Sequence, residues 1–171
     1  MVRSFISLLV VFVSLAGPAR AQNGDSLPPQ AVRLIEGGPR EWFGGTRKAI
    51  AATFGRPDSV EVRLVSNVHD SRSIDSIVTW HYPAATMVFY AVTRSHRELL
   101  REGTIGGARY LKRSPLPLGA TVPQVRAFFH DPSGGSTPHM LYSTESELTH
   151  TLELWFERDR LVRLRWVYPI D

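Results

Sequence analysis

The chain is 171 residues long, with 20 Lys and Arg against 16 Asp and Glu, 43% apolar residues and no cysteine. Without cysteine there is no disulfide, thiolate metal site, thiol nucleophile or lipid-bearing N-terminal cysteine, so the fold must rest on an ordinary apolar core, which a chain of this length can bury. The net charge of +4 is a mild imbalance with only two lysines, Lys48 and Lys112; it lacks the clustered basic footprint of a nucleic-acid binder.

The chain opens "MVRSFISLLVVFVSLAGPARAQ": Arg3, an apolar stretch from Phe5 to Ala16, the breaker Gly17-Pro18, and Ala19-Arg20-Ala21 in A-x-A register. This pattern predicts a secretory signal peptide over 1–21, the apolar run being too short to span a bilayer. Cleavage would remove Arg3 and Arg20 and no acidic residue. It would leave a periplasmic or extracellular product with no stable membrane anchor. Residues 22–39 read as a flexible N-terminal segment. Within it stands "GDSL", Gly24 to Leu27, the nucleophile signature of a family of serine esterases, but the chain has no D-x-x-H pair to supply the base such a serine needs.

The first periodic element runs from Thr46 to Phe54. Thr46 is placed as an N-cap, Ile50 and Phe54 share one face at i and i+4, and Gly55 with Pro57 stops the helix. Strands are predicted next: Ser59 to Val65, alternating Val60, Val62 and Leu64 against Glu61 and Arg63; then Ser76 to Tyr82; then Thr86 to Val92. The polar stretch between the first two is a loop or hairpin tip. Arg101 to Thr121 reads as a short strand and a linker. A second helix follows from Thr121 to Phe129, then the Gly-rich "DPSGGS", read as a flexible turn, and a strand around Tyr142. The last element is a hairpin turning at Arg158-Asp159-Arg160. Its inner face should pair Phe156 with Val162, Leu154 with Leu164 and Leu152 with Trp166; its outer face should pair Trp155 with Arg163 and Glu153 with Arg165.

The two helical segments are the same segment written twice. At an offset of 75, Gly44, Thr46, Ala52, Phe54 and Pro57 recur as Gly119, Thr121, Ala127, Phe129 and Pro132, and Ile50 becomes Val125. The expected fold class is therefore α+β: two tandem repeats, over 40–112 and 113–171, each a short helical segment packed on a three- to four-stranded antiparallel sheet.

The pattern G-x-[ST]-x3-[IV]-x3-[FL]-x2-P, followed by strands bearing Tyr and a second aromatic, resembles the BamE (SmpA/OmlA) outer-membrane assembly lipoproteins. Occurring twice, it also resembles the tandem β-lactamase-inhibitor-like (BLIP-like) fold. Gly119, Thr121, Val125, Phe129, Pro132, Tyr142 and Phe156 carry it in the second copy. Gly44, Thr46, Ile50, Phe54, Gly55, Pro57, Tyr82 and Phe89 carry it in the first. The lipid-anchoring cysteine of the former family and the disulfides of the latter are absent here. The resemblance implies a non-enzymatic module that binds an envelope or secreted protein through its sheet or loops.

No cofactor is implied by any motif. Six histidines, His69, His81, His96, His130, His139 and His150, show none of the spacings of a zinc site, and no metal is expected. The candidate binding residues are those of the outer hairpin face, Trp155, Arg163, Arg165 and Glu153, which mix an aromatic with charges. A second reading is a small-ligand carrier holding a lipid or peptide between two sheets, near Trp80 and Trp166. An unrecognised hydrolase is the third.

Overall fold

The computed structural model describes residues 27–67, 69–144 and 149–170. The expected signal peptide and Gly24 to Ser26 of "GDSL" lie outside the described residues. The segment expected to be a flexible lead-in is a helix from its second half onward: α1 spans Pro29–Glu36, with proline in its first turn and Ala31, Leu34 and Ile35 buried. These three lie at i, i+3 and i+4, one apolar stripe long enough to dock. The short polar stretch before the helix had obscured it. Helix α2 (Gly38–Phe43) follows at once, and α3 spans Arg47–Phe54. The Thr46 hydroxyl accepts the Ala49 N–H, as the N-cap reading requires.

Seven strands follow: β1 (Ser59–Ser66), β2 (Ile74–Tyr82), β3 (Ala85–Val92), β4 (Arg97–Ile105), β5 (His139–Ser143), β6 (Thr151–Glu157) and β7 (Arg160–Val167). They form one antiparallel sheet in the order β1-β2-β3-β4-β7-β6-β5, rather than two separate sheets. The join is β4 against β7, from Glu102 opposite Val167 to Ile105 opposite Leu164. Two separate small sheets would each leave such an edge with unpaired backbone groups, and joining them satisfies both. Helix α4 (Val122–Phe129) precedes β5 and starts with a full capping box, Thr121 and Gln124 bonding each other's backbone N–H.

The final hairpin keeps the predicted pairs Leu152–Trp166, Glu153–Arg165, Leu154–Leu164 and Trp155–Arg163, then shifts. Phe156 faces Leu161, with Val162 as the extra residue of a bulge, and the turn is two residues, Arg158 and Asp159, both at positive φ. A two-residue turn of this kind matches the twist of the strands it joins, and the bulge absorbs the residue that a longer turn would have used.

The helices and one face of the sheet enclose a single apolar core containing Ile35, Ile50, Phe89, Leu100, Val125, Phe129, Leu154 and Trp166. Strand β1 departs from this. Its alternation predicts a buried face, yet Val60, Val62 and Leu64 are all exposed on this edge strand of the sheet.

Candidate functional site

The face of the sheet opposite the helices is the candidate surface, and its densest side-chain cluster crosses β4, β7, β6 and β5. Arg165 stands at the centre. Its guanidinium donates to Glu102 of β4 at 2.7 Å and to Glu153 of β6 at 2.8 Å. Beyond Glu153, His139 Nε2 on β5 lies 3.6 Å from the other carboxylate oxygen. The four side chains form a ladder across the strands, alternating acid, base, acid and imidazole, with Glu153 and Arg165 directly opposite and Glu102 and His139 reached diagonally. Burial alone would lower the Arg165 pKa, but the two carboxylates outweigh it and hold it above its ordinary value.

One step along the strands, the Arg163 guanidinium lies 4.5 Å over the Trp155 ring, and the His139 ring stands 5.0 Å from Trp155 on its other flank. Trp155 is half-buried and Arg163 exposed. All four predicted site residues, Trp155, Arg163, Arg165 and Glu153, thus fall in one continuous patch. Sequence reasoning missed Glu102, since 63 residues separate it from Arg165 and only the β4–β7 pairing brings them together. Nor did it assign His139 to this patch, though β5 sets it directly opposite Trp155.

The patch is chemically self-contained. Arg165 is paired with Glu102 and Glu153, Arg163 rests on the Trp155 ring, and nothing in the patch combines a nucleophile with a positioned base. Among the described residues no three His, Asp or Glu side chains gather into a group that could hold a metal. The other histidines are dispersed: His69 lies in the β1–β2 loop, its backbone N–H donating to Asn67 Oδ1, His81 lies 3.2 Å from Glu61, His130 caps α4, His96 sits in the β3–β4 turn at positive φ, and His150 meets Tyr168 edge-on.

Two polar clusters lie elsewhere. Asp75, fully buried at the start of β2, accepts from Tyr90 Oη and Asn67 Nδ2, both at 2.6 Å, and from Thr93 N–H at 2.9 Å. The Tyr90 hydroxyl foremost, then the Thr93 amide, keep its carboxyl below the usual range despite its burial. It locks the β1–β2 hairpin to the β3–β4 turn. The glycine-rich "DPSGGS", expected to be a flexible turn, is held by buried Arg126, which donates to Ser133 O at 2.6 Å and Gly135 O at 3.3 Å and pairs with Asp131. Glycine content signals conformational freedom, but not the distant cation that removes it.

Trp80 and Trp166 do not share a space. Trp166 is fully buried, its indole N–H donating to Leu34 O at 2.9 Å with Trp42 edge-on at 5.5 Å. Trp80, on β2, is separated from β7 by two strands, β3 and β4, and stands beside an open cleft lined by Ala51, Arg56, Pro57 and Val60. The carrier reading therefore loses the enclosed site between two sheets on which it was framed. No helix among the described residues is long and apolar enough to cross a membrane. Comparison with protein-family models, with curated proteins and with solved structures gives no match for this chain.

Proposed function

We propose that the chain is a secreted, non-catalytic protein-binding module of the cell envelope, built from two BLIP-like or BamE-like repeats, and that the open sheet face around Trp155 is where it binds. The observation that carries this is the placement of Trp155 and Arg163 on a face no helix covers among the described residues, next to the Glu102–Arg165–Glu153 charge ladder. An aromatic stacked with arginine and rimmed by paired charges is the composition of binding hot spots.

The repeat reading draws support from position-by-position agreement. Thr46 and Thr121 both cap, Ile50 and Val125 are both fully buried, and Gly44 and Gly119 both hold positive φ. Phe54 meets Tyr82 at 5.2 Å and Phe129 stacks on Tyr142 at 3.7 Å. Each tyrosine hydroxyl donates to the segment just past its helix, Tyr82 to Gly55 O and Tyr142 to Asp131. On this correspondence β2, β3 and β4 match β5, β6 and β7, and β1 has no counterpart.

The test is capture of partners from envelope extracts by the purified chain, with and without Trp155→Ala and Arg163→Ala. Loss of a specific captured protein, with an unchanged melting temperature, supports the reading. Capture indifferent to both substitutions overturns the assignment of this face. N-terminal sequencing of the exported protein checks cleavage after Ala21.

A further inference from the structure

All four large apolar side chains exposed among the described residues belong to one corner of the molecule: Val60 (50%), Val62 (61%) and Leu64 (69%) on β1, and Ile74 (49%) on β2. Residues directly opposite in an antiparallel pair share a face, so the pairs Val60–Trp80, Val62–Val78, Leu64–Ser76 and Ser66–Ile74 put all four on the helix side of the sheet. Strand β1 also ends the sheet, and among the described residues its outer row of backbone N–H and C=O groups has no strand partner. Edge strands are ordinarily blunted by shortness, bulges, proline or lysine. This one pairs with β2 over eight residues without a register shift and contains neither proline nor lysine.

We propose that β1 is the interface of a two-fold homodimer, pairing antiparallel with β1 of a second copy about an axis through Val62. The charge pattern selects this occupant and this register. A two-fold axis normal to the sheet keeps side chains on their own faces only when paired residue numbers have the same parity. Centred on Val62, Glu61 faces the partner's Arg63 and Arg63 the partner's Glu61, while Val60 faces the partner's Leu64 and Val62 faces itself. The next registers allowed by parity, centred on Glu61 or Arg63, set two like charges against each other at the axis, which disfavours them. The pattern V-E-V-R-L is thus complementary to itself in one alignment. Joined this way, two seven-stranded sheets become one continuous sheet of twice the width, with both helical layers on the same side and the exposed valines and leucines packed together. The interface is isologous, as closed dimers require, and leaves the Trp155 face of each copy free. It therefore stands or falls independently of the proposed function.

Sedimentation of the purified chain over a concentration series tests it. The unmodified chain is expected to dimerise. Glu61→Arg alone and Arg63→Glu alone each turn two attractive pairs into two repulsive ones and should weaken the dimer by roughly tenfold or more. An equimolar mixture of these two variants restores both attractive pairs and should recover a heterodimer. Val62→Lys brings two ammonium groups together at the axis and should give a monomer. All three positions are exposed, so the fold tolerates these changes, which circular dichroism and the melting temperature would verify. A chain that stays monomeric, whether its edge then receives a strand of another protein or none, overturns the proposal. So does a dimer indifferent to Val62→Lys, or a mixture of the charge-reversed variants that fails to associate.

Discussion

Gly38 lies against the indole of Trp166 so closely that a Cβ at residue 38 would stand 2.4 Å from Nε1 and 2.7 Å from Cδ1. The backbone there also has φ of +42°. The contact closes the corner between α1 and α2 onto β7. In the same corner Trp166 of β7 donates to Leu34 O and Tyr168, just past β7, donates to Gly37 O, so two aromatic side chains tie the end of α1 to the end of the sheet. Gly38→Ala is expected to cost about 2–4 kcal/mol, combining left-handed backbone strain with overpacking against a ring that cannot move. Gly45→Ala, where nothing lies within 4 Å and φ is not positive, should be close to neutral in the same denaturation experiment.

The stacked pair Phe129 and Tyr142 leads to a second expectation. The rings lie 7° from parallel, and the Tyr142 hydroxyl donates to Asp131 at 3.0 Å while Arg126 approaches the same carboxylate. Burial foremost, with the negative Asp131 beside it, drives the Tyr142 pKa upward, so the phenol stays a donor across the physiological range. Tyr142→Phe retains the stack and removes one hydrogen bond to a charged group, for a loss of about 1.5–3 kcal/mol. Phe129→Ala empties a fully buried site and should cost about 3–5 kcal/mol by urea unfolding. Phe54→Ala, at the matching but half-buried position, should cost visibly less.

The N-caps, the helix stops and the last hairpin were legible because each rests on local signals: a threonine one residue before an apolar stripe, a proline after it, alternation with period two. What escaped was set by distance. That β4 would pair with β7, and so merge two sheets, depends on residues some 60 positions apart. The ladder partner Glu102 became visible only with that pairing. Helix α1 was hidden because the apolar stripe of Ala31, Leu34 and Ile35 is short and follows a stretch with the look of a tail. The alternation of β1 was read correctly as a strand, but periodicity reports which side chains share a face and not whether anything covers that face.

Acid should weaken the fold through Asp75. Its carboxyl is held below the usual range in the folded chain by Tyr90, Thr93 and Asn67, so the folded state binds the proton less readily than the unfolded state. The associated stability is fully present above the ordinary carboxylate pKa of about 4 and is lost as pH falls through the lower folded value. Asp131 acts in the same direction: its burial opposes ionisation, but the Ser133 hydrogen bonds, the Tyr142 hydroxyl and Arg126 together prevail. Chemical unfolding at a series of pH values should show a plateau from neutrality down to about pH 5 and a decline below. In Asp75→Asn the plateau itself should be lower, because an amide presents one acceptor oxygen to three donors, and the further loss on acidification should be smaller.

The Glu102–Arg165–Glu153 ladder makes the last prediction, because it spans the seam that joins the two halves of the sheet. Strands β4 and β7 pair over only four residues, and Arg165 binds carboxylates on both sides of that seam. The guanidinium is about one-third exposed, which screens its interactions, so a double-mutant cycle of Glu102→Gln with Arg165→Gln should give a coupling of about 0.5–1 kcal/mol at low salt. Glu153→Gln with Arg165→Gln should give a similar value. Both couplings should shrink in molar salt, where the screening length falls to about 3 Å. Arg165→Gln alone should cost more than either glutamate variant, since it leaves two carboxylates facing each other across β7 with no cation between them. If the coupling across the seam proved zero while that between β6 and β7 persisted, the halves would be held by backbone pairing and the apolar core alone, and the ladder would be an ornament of one hairpin rather than a clasp between the halves.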